Sequence, residues 1–430
     1  MNMKTRYLLL ALVLLATACE KTNNPVDLDE AFAIEQPTPK TELTRVALND
    51  TQKGYVREGN KLSFTFLQQL AKENKGGFVC SPLSLQLALA MTANGAEGET
   101  QQEMLDVLGY GSEGMAALNA YAKILIEQLP AVDLDVTLKM ADALLATDRY
   151  PLKAGFRETL RTYYYAPAVS MSFDDPQRVI DQVNEWARRN TEGLIDPMLD
   201  KIDPNAAAFL MNALYFKAKW EGSERDPMFK SNYTHDDTFY KAGGSKVKVP
   251  FMSTSRRLPY VDKGDYEVVA LPYASGKFYM YILLPKKQDG LDAMVGALQN
   301  ISWNSLIASL DKEANVQLSM PKFDASGDFE LKKTLQALGM EKAFDSNDAE
   351  FDNMFDGVSP GFYISRGLQK AKITVAEGGT EAAAVTVVEM TEKASMPSNE
   401  IQVTADHPFV YIIGEQESGT ILFEGVYSGE

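Results

Sequence analysis

Phe78-Val79-Cys80-Ser81-Pro82-Leu83-Ser84-Leu85-Gln86-Leu87-Ala88-Leu89-Ala90-Met91-Thr92, with Gly95-Ala96-Glu97-Gly98-Glu99-Thr100 just beyond it, is the stretch that decides how the chain folds. Ser81 has the side chain of a helix cap, and Pro82 suits a first helical turn. The helix that follows is apolar on almost every side, so it is expected inside the protein rather than on its surface. Cys80 sits in that apolar setting and reads as a buried structural thiol, not a nucleophile. Gly95 and Gly98 interrupt the helix, and Gln101 to Leu108 resumes one. Upstream, Leu62, Phe64, Phe66, Leu67 and Leu70 place a core-facing helix over Lys61 to Lys72.

A second stretch, Glu377 to Pro397, is ambiguous by itself. Gly378 and Gly379 let its start bend at little steric cost. Read as a strand, Thr380, Ala382, Ala384, Thr386, Val388 and Met390 share one uncharged face, while Glu381 and Glu389 lie on the other. Its alanines would equally suit a helix. Pro397 and the polar residues around it give no tight turn, so a loop also fits.

The chain has 430 residues, 45% of them hydrophobic, enough for a large core in one domain or two. Its net charge of −17 and pI near 4.8 lack the basic footprint of a nucleic-acid binder. Two cysteines, Cys19 and Cys80, make no disulfide framework. Two histidines leave little room for acid–base or metal chemistry. His235 in Thr234-His235-Asp236-Asp237 lacks the partners of a metal site. His407, before Pro408, reads as structural. Without a base beside a nucleophile or a Gly-rich phosphate motif, an enzyme is not expected, and neither is a cofactor or metal.

Lys4 and Arg6 precede the apolar run Leu8 to Leu15, which ends at Ala16-Thr17-Ala18-Cys19. That pattern reads as a secretion signal, and its cysteine resembles the lipobox of bacterial lipoproteins. Residues 1–18 are expected as the signal peptide, with Cys19 as the lipidated residue. The alternative is an ordinary signal peptide with an incidental cysteine. Residues 19–49 are polar, carry Pro25, Pro37 and Pro39, and cannot bury a core. They read as a tether to a membrane in the bacterial cell envelope.

The run from Phe78 to Leu108, with its Ser-Pro-Leu-Ser core and Gly-Ala-x-Gly-x-Thr turn, resembles the early helices of the serpin family. Further landmarks follow in the family's order. Leu138 to Thr147 is similar to an inner strand, and Val179 to Ile195 to the helix across the main sheet. Phe209 to Trp220 is similar to the strand Asn-Ala-x-Tyr-Phe-Lys-x-x-Trp. Val247–Met252, Leu271–Tyr273, Tyr281–Pro285, Met320–Phe323, Leu335–Phe344, Ala405–Phe409 and Leu422–Gly425 complete the series. The resemblance covers residues 50–430. It implies an α+β serpin fold with three β-sheets (A, B, C), eight or nine α-helices and an exposed reactive-centre loop over about 377–400.

The resemblance also implies function and roles. The chain would be a monomeric suicide-substrate inhibitor of serine, and by extension cysteine, endopeptidases. A protease would cut the loop, and the freed loop would insert into the main sheet while its new C-terminal carbonyl stays bound to the protease as an acyl-enzyme. Glu377, Gly378, Gly379, Thr380, Glu381, Ala382, Ala383 and Ala384 would be the hinge. The usual loop length puts the scissile bond at Lys393-Ala394, which suits a trypsin-like target. A bond near Met390 would instead suit elastase-like or subtilisin-like enzymes. Ser81, Ser84 and Asn212 match the polar cluster under the sheet opening, where Gln369 replaces the usual histidine. Trp220 and a Lys322–Glu377 pair match the top of the opening. Such a pair, if exposed, contributes only about 0–1 kcal/mol. A non-inhibitory serpin acting as a surface binding protein is the competing expectation.

Overall fold

The structure is a computed structural model that describes residues 42–110, 114–203, 206–357, 362–380 and 400–429. Among them, in chain order, stand α1 (Asp50–Glu73), β1 (Phe78–Cys80), α2 (Pro82–Ala93), α3 (Gly98–Leu108), α4 (Gly114–Gln128), β2 (Thr137–Thr147), α5 (Ala154–Tyr164), β3 (Ala168–Met171), α6 (Pro176–Asn190) and β4 (Ala208–Lys219). The chain continues through β5 (His235–Tyr240), β6 (Lys246–Arg257), β7 (Tyr260–Asp262), β8 (Tyr266–Pro272), β9 (Phe278–Pro285), α7 (Leu291–Leu298), α8 (Trp303–Ala308), β10 (Asn315–Pro321), β11 (Phe323–Glu330) and α9 (Lys332–Ala337). It closes with β12 (Leu368–Ala376), β13 (Gly379–Thr380), β14 (Ile401–Thr404), β15 (Phe409–Glu415) and β16 (Ile421–Tyr427).

Three sheets result. Sheet A runs β11-β12-β13-β4-β2-β3, sheet B runs β1-β16-β15-β9-β8-β7, and sheet C runs β14-β10-β6-β5. Sheet B holds the most apolar strands. Every residue of β15 and β16 is buried, as expected for a sheet covered on both faces. Sheet A separates two apolar layers. Leu138, Met140, Leu144, Leu214, Phe216 and Ala218 face the main core, while Ala141, Ala143, Met211 and Ala213 face α6. The period-2 alternation of β2 and β4 produces this split. On α6, Val179, Val183, Trp186 and Ala187 form the stripe that packs on the sheet.

Three helix boundaries differ from expectation; α3 begins at Gly98 rather than Gln101, so Gly98 opens a helix instead of interrupting one. α1 begins at Asp50, not Lys61, because Asn49 and Gln52 form a reciprocal capping box that starts the helix in polar sequence. α6 spans Pro176–Asn190 rather than reaching Ile195. Its end is tied by Thr191, whose hydroxyl donates to Ala187 O and accepts from Ile195 N. Of the stretch read as a tether, Thr44 N–H donates to Ala131 O at 3.0 Å and Ala47 N–H to Gln128 Oε1 at 2.7 Å. Val46 is buried there, so ordered contacts begin ahead of residue 50.

α2 behaves as its sequence demands. Ser81 accepts the N–H of Ser84, Pro82 opens the helix, and nearly all its residues are buried. Cys80 has no exposure, and burial pushes its thiol well above the usual range. His407 is buried, with Nδ1 against Asp406 Oδ1 and Nε2 against Pro285 O, both at 2.8 Å, while His235 lies exposed.

Candidate functional site: the opening in sheet A

The sheet is divided between β12 and β4. At the top, Gly379 and Thr380 form a two-residue strand, antiparallel to both neighbours. Thr380 stands opposite Val375 on one side and Ala218 on the other, and Gly379 opposite Ala376 and Lys219. Beneath Thr380 the described residues supply no further strand between β4 and β12. At the lower end a cavity of about 240 Å³ is lined by apolar side chains such as Leu85, Leu89, Val183, Met211, Leu331 and Leu368, with Thr92, Asp203 and Arg366 also on its wall.

The first two places of this interior strand are thus filled by residues expected within an exposed hinge. Gly379 can stand there because it has no Cβ. A Cβ would lie 2.0 Å from Ala218 O, and the residue's φ of +136° disfavours any L side chain. Thr380 is fully buried, with its hydroxyl 2.5 Å from the Tyr273 hydroxyl. The Tyr273 ring stacks on Trp220, centroids 4.4 Å apart and planes 11° apart. Trp220 fixes the approach to the hinge: its Nε1 donates to Ala376 O at 2.8 Å and its backbone N–H to Gly378 O at 3.3 Å.

Glu377 is not an exposed partner. Its side chain is 6% exposed, against 36% for Lys322, and the two meet at 3.1 Å. Thr234 donates its hydroxyl to Glu377 Oε1 at 2.7 Å. Burial works to raise the Glu377 carboxyl. Its own backbone N–H, the Thr234 hydroxyl and the Lys322 ammonium together hold it below the usual carboxylate range.

Lower down, α2 bridges the two flanking strands. Gln369 on β12 accepts the Ser81 N–H at 3.1 Å and donates to Ser81 O at 2.8 Å. Ser81 Oγ donates to Leu422 O at 2.8 Å. On the other flank, the Ser84 hydroxyl donates to Asn212 Oδ1 on β4. Asn212 Nδ2 donates to Asp142 Oδ1 at 2.6 Å. Gln369 and Asn212 therefore meet through the first turn of α2 and not by a bond of their own among the described contacts.

A family model described as "Serpin (serine protease inhibitor)" matches residues 57–428. The chain belongs to the serpin family. Among its relatives, an uncharacterised serpin-like protein of Thermococcus kodakarensis is 31% identical over 94% of this chain and 92% of its own length. Serpin-ZXA of Oryza sativa subsp. japonica is 34% identical over 80% of this chain and 88% of its own. Among solved structures, the native state of the thermophilic serpin tengpin superposes with a TM-score of 0.81 at 28% identity, covering 92% of this chain and 98% of that one. Human thyroxine-binding globulin complexed with its hormone superposes with a TM-score of 0.77 at 25% identity, covering 87% of this chain and 98% of that one.

Within this serpin, Ser81, Ser84, Asn212, Trp220, Lys322, Gln369 and Glu377–Thr380 all line one opening. Glu381, Ala382, Ala383, Ala384, Lys393, Ala394 and Cys19 lie outside the described residues. Asp142, Tyr273 and Thr234 also belong to the opening and were not singled out from sequence. Asp142 left a signal: it is a lone acid within the apolar strand Leu138 to Thr147.

Proposed function

We propose that this serpin is an inhibitor of serine endopeptidases that works by covalent trapping and loop insertion into sheet A. The observation that carries the proposal is the pairing of Thr380 with both Val375 and Ala218. It supports a preformed channel whose top is already threaded, so a cut loop would extend a strand that exists rather than nucleate one. The residues next in line on the inward face, Ala382, Ala384, Thr386, Val388 and Met390, are small or uncharged. New strand pairing and apolar burial would supply the driving free energy, and an uncut loop would hold it back. Cleavage at Lys393-Ala394 by a trypsin-like enzyme is proposed, with a bond near Met390 as the alternative. Lipid attachment at Cys19, after removal of residues 1–18, would hold the inhibitor at a cell envelope.

The decisive experiment is incubation with a panel of proteases. An SDS-stable complex is expected with a trypsin-like member, together with a released peptide beginning at Ala394. Cleavage without any complex would favour a non-inhibitory binding protein, the role that thyroxine-binding globulin illustrates within this fold. Metabolic labelling with palmitate, lost in Cys19→Ser, tests the anchor.

A further inference from the structure

The polar cluster beneath the opening contains one ionisable group, Asp142. It lies in the middle of β2, opposite Asn212 on β4, and is 3% exposed. Oδ1 accepts the Asn212 amide, but Oδ2 is buried with no hydrogen-bond partner. Asn212 in turn holds the Ser84 hydroxyl at the start of α2. Asp142 thus anchors one end of a chain of side chains that runs β2–β4–α2, and Gln369 continues it from Ser81 to β12.

We propose that Asp142 is a positioning residue for sheet opening, and that its ionisation loosens this bridge and eases entry of a strand between β4 and β12. The inference rests on the insertion reading given above.

The groups around the carboxyl explain the direction. From α5, Tyr164 faces it and feels its charge; the Tyr164 hydroxyl donates to Asn119 Oδ1 of α4, and Asn94 joins that amide pair. From α2 and β4 come neutral Ser84 and Asn212. Lys139 on β2 is bound to Glu192 at the exposed face. None of these neighbours brings a cation to Asp142. Burial accordingly raises its pKa to about 7, against a smaller opposing effect of the Asn212 hydrogen bond. Below that pH the neutral acid sits in the closed sheet at little electrostatic cost. Above it, a carboxylate with one bare oxygen is enclosed, and opening the sheet exposes it to water or to the polar groups of an entering strand. The sign follows: because the buried acid prefers its proton, the closed state is favoured at low pH and loses ground as pH rises through about 7.

The test uses the intact chain and a synthetic peptide of its own sequence from Thr380 to Lys393, labelled with a fluorophore. Incorporation is followed by native gel at pH 5 to 9. The wild-type rate should rise about tenfold between pH 6 and pH 8, in proportion to the ionised fraction. In Asp142→Asn, which keeps the shape and an acceptor for Asn212, the rate should be flat. Asp142→Ser gives a second flat profile should the amide misfold. A flat wild-type profile, or a slope retained in Asp142→Asn, overturns the role of Asp142 alone. Failure of the peptide to enter at any pH overturns the insertion reading and this inference with it.

Discussion

The Thr380 hydroxyl is 2.5 Å from the Tyr273 hydroxyl inside the top of sheet A, with no exposure on the threonine. This contact measures the space that an inserting strand is allowed. A side chain larger than threonine must displace the Tyr273 hydroxyl, behind which the Trp220 ring is stacked.

Thr380→Arg therefore should turn the inhibitor into a substrate. An unpaired buried charge costs about 3–5 kcal/mol, and at 1.36 kcal/mol per tenfold this moves the partition toward hydrolysis by more than about a hundredfold. Ala384→Arg, on the same face further along, should behave alike. The measurement is the ratio of SDS-stable complex to cleaved inhibitor. Wild-type ratios in either variant would rule out loop insertion as the trapping step.

Gly379→Ala probes the threaded strand itself. The added Cβ meets Ala218 O and Lys219 Cα at 2.0 and 2.7 Å, both backbone atoms that cannot turn aside. With φ at +136° the alanine is also strained. The expected result is expulsion of Gly379 and Thr380 from the sheet. Amide exchange at Ala376 and Ala218 should accelerate by tenfold or more, since each 1.4 kcal/mol of lost pairing is about a factor of ten. Unchanged protection at both positions would show that the two-residue pairing is not held by the small size of Gly379.

The strands of sheet A were placed in the sequence by the resemblance to the serpin family and not by their own patterning. The cap at Ser81 and the apolar helix after it need only local chemistry and were legible without the resemblance. The entry of Gly379 and Thr380 into the sheet was not legible. Nothing in Gly378-Gly379-Thr380 distinguishes a hinge outside the sheet from one inside; the decision lies with Tyr273 and Ala218, which are remote in the chain. The burial of Glu377 within its pair with Lys322 was not legible for a similar reason. Thr234 and the fold bury the carboxylate, and no spacing rule connects Thr234 to Glu377.

The Glu377 pair makes a pH-dependent contribution. Its carboxyl is depressed in the folded state, so its stabilisation is present above the unfolded value near 4.5 and is lost as pH falls through the lower folded value. Lys322→Ala leaves a largely buried carboxylate held by Thr234 and its own backbone, at a cost of about 1–3 kcal/mol, reduced by the partial exposure of Lys322. Thermal midpoints at pH 7 should fall by a few degrees. Adding Glu377→Gln should recover part of the loss, and the gap between wild type and Lys322→Ala should close below pH 4.5. Additive effects at pH 7 would show that the two residues do not couple.

The register of the two threaded residues can be carried downward. With Thr380 opposite Val375 and Ala218, an extended strand brings Thr386 opposite both Gln369 and Asn212. Its parity with Thr380 turns Thr386 toward the main core, where the Ser84–Asn212–Asp142 chain lies. A hydroxyl can donate and accept, so on insertion it would join the polar cluster that otherwise faces an apolar strand. Thr386→Val keeps the shape and removes only this capacity. It should leave the uncut protein's thermal midpoint unchanged and lower the stability of the cleaved form by about 1 kcal/mol, the usual net contribution of one hydrogen bond. A crystal structure of the cleaved protein gives the direct check: the Thr386 hydroxyl belongs within hydrogen-bond distance of Asn212 or Gln369. A one-residue slip would turn it to the α6 face instead. That outcome would overturn the continuous strand and leave Gly379 and Thr380 as a local feature of the uncut sheet.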